Sequence, residues 1–145
     1  MKKNPSNRSE YNHFVSLGTR WNDNDIYGHM NNVVYYQLFD TAVNKWLITN
    51  DLLDIEKGKN IGLIVQSGCN FFSSLAYPED IDAGIRVTKI GTSSVRYEVG
   101  LFRKSQQLSS ADGFFIHVYV DRETNKPFSL DYTFKKALDT LFIEL

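Results

Sequence analysis

The run NVVYYQLFDTAVNKWLIT, residues 32–49, decides the fold. At 100° per residue, Val34, Tyr35, Leu38, Phe39, Ala42, Val43 and Trp46 share one side. Gln37, Thr41, Asn44 and Lys45 share the other, and Asp40 sits on the border. An apolar arc covering about half the circumference is wide enough for a sheet to wrap around it. Asn31 and Asn32 stand at its start as N-cap candidates, because a side-chain oxygen there accepts from the unpaired N–H groups of the first turn.

Outward from this helix the period changes to that of strands. Upstream, HFVSLGTR (His13 to Arg20) reads as one strand, interrupted by Gly18. Downstream, residues 50–60 form a connection, followed by four strand-like segments: Ile61 to about Ala76, Ile81 to Ile90, Ser93 to Arg103, and Leu108 to Asp121. Turn residues separate them at Pro78-Glu79-Asp80, Gly91-Thr92 and Lys104 to Gln107. Alternation in VRYEVGLF and FFIHVYV predicts antiparallel strands with one face on a core. Gly68 predicts a bulge or the close approach of another backbone. After the polar turn DRETNKP the helical period returns, with Phe134, Leu138, Leu141 and Phe142 on one face and Asp131 as a cap. The order predicts an α+β fold: an antiparallel five-stranded sheet wrapped around one long central helix, plus a C-terminal helix. Residues 1–11 read as a flexible tail and 12–145 as one domain.

At 145 residues the chain is long enough for one core. A net charge of −1 and a pI near 6.3 leave no basic footprint for nucleic acid. No stretch approaches the ~18 apolar residues of a membrane span. The polar MKKNPSNRSEYN has no signal-peptide core, so a cytoplasmic protein is expected. One cysteine rules out an internal disulfide, and Cys69, in an apolar run without a nearby histidine, reads as packing. His13 and His117 lie in strand-like segments and read as structural. No His, Cys and carboxylate spacing fits a zinc site, so neither metal nor cofactor is expected.

The chemistry concentrates just before the helix, in RWNDNDIYGHMNN, residues 20–32. Carboxylates in a loop leading onto a helix N-terminus sit where free N–H groups and the macrodipole stabilise a developing anion. That suits acyl transfer: a carboxylate to attack or to activate water, and backbone donors for an oxyanion. By spacing alone, an Asp-x-Asp pair in a loop is more often turn chemistry.

The run resembles the R-x-x-D-x-D-x-x-G-H-x-N-N-x-x-Y signature of acyl-CoA thioesterases of the 4-hydroxybenzoyl-CoA thioesterase type. Here it stands as Arg20, Asp23, Asp25, Gly28, His29, Asn31, Asn32 and Tyr35. The resemblance extends over about residues 13–130, with a G-x-S-S turn at Gly91, Ser93 and Ser94 and a V-D-x-x-T-x-x-P turn at Val120, Asp121, Thr124 and Pro127. A proline that often follows this turn is absent at Ser129-Leu130-Asp131, and the terminal helix varies among members.

What the resemblance implies is a hotdog fold and hydrolysis of a thioester to free acid and coenzyme A. The catalytic carboxylate then falls on Asp25, and the N–H that polarises the carbonyl falls at Asn32. His29 would bond Asp25 or the substrate, assist the leaving thiolate, or fix the loop. Asp23 reads as a loop organiser and stands with Tyr35, Ser93, Ser94 and Arg96 on the substrate-binding side. Arg86, Lys89, Arg103 and Lys104 add charge for the coenzyme phosphates. Asp40 is the rival to Asp25, since other hotdog thioesterases use a helix carboxylate. Tyr36, Phe71 and Phe72 join Tyr35 as pocket candidates. The expected substrate is an acyl-CoA or acyl-carrier thioester, and the expected assembly is a homodimer or dimer of dimers with shared sites. Rival activities are a hotdog hydratase or dehydratase and a non-catalytic acyl-CoA-binding module.

Overall fold

A computed structural model describes residues 3–145. Five strands form one antiparallel sheet: β1 (His13–Leu17), β2 (Asn60–Phe71), β3 (Ile81–Ile90), β4 (Ser94–Arg103) and β5 (Ala111–Asp121), in the order β1-β3-β4-β5-β2. Helix α1 (Asn32–Thr49) lies against its concave face, and α2 (Tyr132–Asp139) closes one end. This is the hotdog arrangement that the resemblance implies. Among the described residues no helix is long and apolar enough to cross a membrane.

The seven apolar positions assigned to one face of α1 are all buried, and Leu47 joins them. Phe39, 1 % exposed, shows how closely helix and sheet approach. Its ring occupies the space that a Cβ on Gly113 of β5 would need, so a side chain at 113 would push the helix off the sheet.

Strand ends differ from expectation where the chain has another job. β1 stops at Leu17 and β2 at Phe71. From there residues 72–80 loop back, burying Leu75 against the helix start. The β2 bulge falls at Ile64/Gln66, not at Gly68, where the Phe114 ring rather than a backbone crosses. A second bulge, at Val87/Lys89 of β3, is filled by the C-terminus: Val87 N–H donates to Leu141 O at 2.9 Å and Val87 O accepts from Ile143 N–H at 2.9 Å. Phe134, Leu138 and Leu141 are buried as expected, whereas Phe142 turns outward.

The expected flexible tail is corrected for residues 3–11; residues 1 and 2 lie outside the described residues. Asn7 and Glu10 cap a 3₁₀ turn (Arg8–Glu10) reciprocally. The Arg8 guanidinium donates to Arg103 O at 2.7 Å and pairs with Asp82 at 3.0 Å, and Tyr11 is buried against Phe102. Polar sequence hid a segment that covers the outer face of the sheet by hydrogen bonding.

Candidate active site

The loop before α1 is built by its own polar side chains. Asp23 is buried; its Oδ2 accepts from Arg20 N–H at 2.7 Å and its Oδ1 from the Arg20 guanidinium at 3.1 Å. Its carbonyl accepts from Asn31 N–H at 2.8 Å. Asp23 thus organises the loop, and with both oxygens engaged it does not enter the cleft described below. It lines instead a separate hollow with Leu17, Gly18 and Arg20.

Asp25 closes the tip. Its N–H donates to His29 O at 2.7 Å, its carbonyl accepts from Gly28 N–H at 3.1 Å, and its Oδ1 accepts from the N–H groups of Tyr27 and His29 at 2.8 and 3.3 Å. Gly28, at φ 77°, makes the left-handed turn that lets His29 come back over Asp25. The carboxylate is half-buried, and its Oδ2 has no hydrogen-bond partner among the described residues.

At the helix start, Asn31 Oδ1 accepts from Val33 N–H at 3.1 Å and Asn31 O from Val34 N–H at 2.9 Å. Those bonds use two of the N–H groups a helix leaves orphaned. The Asn32 N–H keeps no acceptor among the described residues, which leaves it a free donor at the helix start.

His29, Met30, Asn32, Tyr35 and Phe71 to Ser74 line an open cleft of about 490 Å³. Tyr35 is its wall: its ring meets Phe71 edge-on at 4.9 Å and its hydroxyl accepts from Leu75 N–H at 3.3 Å. Burial, outweighing the Leu75 bond, raises the Tyr35 phenol above its ordinary value, and the nearby Asp25 charge adds to this. Cys69 lies partly buried near this wall; burial pushes its thiol up to about 12, which keeps it protonated and unreactive.

The structure therefore brings His29, Asn32 and Tyr35 to one cleft; Asp25 is not among its lining residues, but its Oδ1 accepts from the His29 N–H at 3.3 Å and its charge reaches Tyr35. Phe71 and Phe72 join them, while Tyr36 packs on Phe39 instead. Asp40 lies elsewhere: it faces a separate hollow beside the end of β1, with Leu17 and Arg20, and its carboxylate accepts from the Asn44 amide at 3.0 Å.

Ser93, Ser94 and Arg96 lie at the opposite end of the sheet, where β3 turns into β4, so one chain does not bring them to its own cleft. Arg96 donates to Glu98 at 2.8 Å and stacks on Phe114, and Arg86 is buried against Glu98 at 2.8 Å. Burial works against the Glu98 charge, yet the bonds from Arg96 and Arg86 hold its carboxyl below the usual range. Arg86 is thereby engaged in the buried pair, whereas Arg96 uses only its Nε on Glu98. Arg103 reaches the cleft instead, donating to the carbonyl of Ser74. Ser73 and Ser74 were not expected in the site; only the loop's return to the helix brings them there.

Residues 19–138 match the model of the thioesterase-like superfamily. Among solved structures, the PA5185 protein from Pseudomonas aeruginosa is 46% identical, covers 97% of this chain and 97% of its own, and superposes with a TM-score of 0.92. The PA2801 protein of the same organism is 25% identical over 88% of this chain and 98% of its own, with a TM-score of 0.82. A 1,4-dihydroxy-2-naphthoyl-CoA thioesterase from Synechocystis shares the fold at 16% identity, over 87% of this chain and 94% of its own, with a TM-score of 0.78. No curated protein matches the chain.

Proposed function

The chain belongs to the thioesterase-like superfamily, and from that premise we propose that it is a cytoplasmic enzyme hydrolysing acyl-CoA thioesters with Asp25 as its catalytic carboxylate. The observation that carries this is the free Oδ2 of Asp25 in the loop that ends at the unpartnered Asn32 N–H, beside an open cleft.

With the thioester carbonyl oxygen on Asn32 N–H, the carbonyl carbon is polarised for attack. Asp25 either takes a proton from water, whose oxygen bonds to that carbon, or attacks the carbon itself and yields an anhydride that water opens. In both routes the C–S bond breaks; in the first the proton held by Asp25 passes to the departing thiolate, and in the second the thiolate leaves unprotonated and the water that opens the anhydride supplies the proton. The backbone bonds to Oδ1 hold the carboxylate in place and leave Oδ2 without a partner among the described residues. His29, exposed on the cleft rim, is placed to contact the substrate. The aromatic wall of Tyr35 and Phe71 suits an apolar acyl group.

The working unit is a dimer in this proposal. β2 is an edge strand with Leu63, Ile64 and Val65 between 42 and 61% exposed, a surface that invites pairing with a second copy. Antiparallel pairing of two copies about the middle of β2 would set the Asn60 end of one beside the Phe71 end of the other. Each cleft would then gain a wall from the partner, and the partner's far sheet end, with Ser93 and Ser94, would come to the same side. The test is a thiol-release screen across acyl-CoA lengths and arylacyl-CoAs. Release from at least one class is expected; binding of these thioesters without release would leave a non-catalytic module.

A further inference from the structure

Asp25 belongs to a short hairpin whose base is one pair of facing residues, Asn24 and Met30. Inside the hairpin Asp25 N–H donates to His29 O at 2.7 Å, and Asn31 N–H donates to Asp23 O at 2.8 Å. That pattern turns the Met30 N–H away from the hairpin. Both residues of the pair meet the return segment 72–80, at neighbouring points. Met30 N–H donates to Leu75 O at 2.8 Å, and Asn24 Oδ1 accepts from Tyr77 N–H at 3.0 Å.

The same segment carries the cleft. Its first residues are fastened to the sheet: the N–H groups of Phe72 and Ser73 donate to Ser110 O at 2.8 and 3.1 Å, and the Ser73 and Ser110 hydroxyls lie 2.9 Å apart. Phe72 to Ser74 line the cleft, and Leu75 is fully buried with its N–H on the Tyr35 hydroxyl. The carboxylate loop and the cleft wall are thus joined through residues 75–77. Of the two clamps there, the Met30 bond is made by backbone alone, and any residue but proline would make it. The other depends on one side chain. A hairpin held by the Met30 bond alone pivots at its base, whereas two bonds at facing positions hold its orientation. Asp25 is the residue next to Asn24. Asn24 itself is not among the residues lining the cleft, so its effect on the reaction passes through Asp25.

We propose that Asn24 is a positioning residue for hydrolysis: its bond to Tyr77 N–H fixes the Asp25 hairpin relative to the cleft wall. The proposal rests on the thioesterase function above, with Asp25 as the carboxylate. A displacement of about 1 Å at the reacting groups costs on the order of a hundredfold in rate. The bond itself is exposed, so water replaces it at little cost to the fold. The wall stays on Ser110 whatever stands at 24, so ground-state binding of the thioester is preserved and the loss falls on kcat.

The test is thiol release and urea denaturation of Asn24→Ala, Asn24→Asp and the double variant Asn24→Ala with Asp25→Asn. The substrate is whichever acyl-CoA the wild type hydrolyses fastest in the screen of chain lengths and arylacyl groups. Asn24→Ala should lower kcat by about ten- to a hundredfold, with KM within about twofold and the urea midpoint unchanged. Asn24→Asp keeps an oxygen for Tyr77 N–H and should recover most of the rate, each enzyme being compared at its own pH optimum. With Asp25→Asn there is no carboxylate left to place, so adding Asn24→Ala should change the residual rate by less than about twofold. A kcat in Asn24→Ala within about threefold of the wild type overturns the proposal, as do equal losses in the Ala and Asp variants. So does the same fold-loss with and without Asp25, or an Asn24→Ala that fails to fold or melts at lower urea, since Asn24 then serves the fold and not the reaction. Each of these leaves the thioesterase function standing. No thiol release by the wild type from any acyl-CoA removes the thioesterase function and this proposal with it.

Discussion

Lowering the pH should destabilise the fold through one residue, His117. Burial lowers its pKa from 6.5 to about 4. A base with a depressed pKa refuses in the folded state a proton that the unfolded chain accepts. Its cost is therefore absent above pH 6.5, grows as the pH falls, and levels off near pH 4. At 1.36 kcal/mol per pH unit the whole effect is about 3 kcal/mol, of which about 2 kcal/mol falls between pH 6.5 and 5. The Glu98 carboxyl has the opposite dependence, with stability present above its unfolded value of 4.5 and lost only below it. A measurement at pH 5 and above thus isolates the histidine. Urea denaturation of the wild type and of His117→Phe at pH 7, 6 and 5 is the assay. The wild type should lose about 2 kcal/mol and the variant, which keeps a ring but has no titrating group, little of it. A flat wild-type profile, or an equal slope in the variant, would refute the buried neutral histidine.

Three further outcomes follow from the site and its edge. Asn31→Ala removes the cap on Val33 N–H and should cost about 1 kcal/mol in stability; it should also lower kcat, because fraying moves the Asn32 donor, and a chemical melt with steady-state rates checks both. Ile64→Asp on the exposed middle of β2 should turn the dimer into a monomer by light scattering and abolish thiol release, whereas an active monomeric wild type would remove the shared site. Dialysis against a strong chelator should leave thiol release intact; activity lost and then restored by zinc or magnesium would contradict carboxylate chemistry.

What could be read from residues alone was whatever a local period encodes. The helix face of Val34 to Trp46 was visible because burial repeats every 3.6 residues. The antiparallel strands were visible because Val95, Tyr97 and Val99 face one way. Asp25 and Asn32 were placed by loop and cap chemistry together with the family signature. What escaped depends on distant chain. Arg8 docks on residues almost a hundred positions away, and no polar tail announces that. Asp23 read as a loop organiser, but that Arg20 is the partner of both its oxygens needed the folded loop. Ser93, Ser94 and Arg96 sit on a turn whose distance from the cleft is set by strand length. Alternation with Phe115 and Tyr119 turns His117 inward, as a strand reading implies, but the missing partner of its Nε2 needed the packed core.

In the proposed mechanism Asp25, and not the helix carboxylate Asp40, carries the hydrolysis. Steady-state thiol release by Asp25→Asn and Asp40→Asn, with circular dichroism confirming that both fold, tests it most directly. Asn at 25 keeps an oxygen for the Tyr27 and His29 N–H groups, so the loop should hold while the proton acceptor or nucleophile is lost. We expect kcat to fall by about 10²–10⁴ in Asp25→Asn and to change by less than about threefold in Asp40→Asn, whose carboxylate only meets Asn44. A wild-type kcat in Asp25→Asn with Asp40→Asn inactive would contradict the account and move the chemistry to the helix.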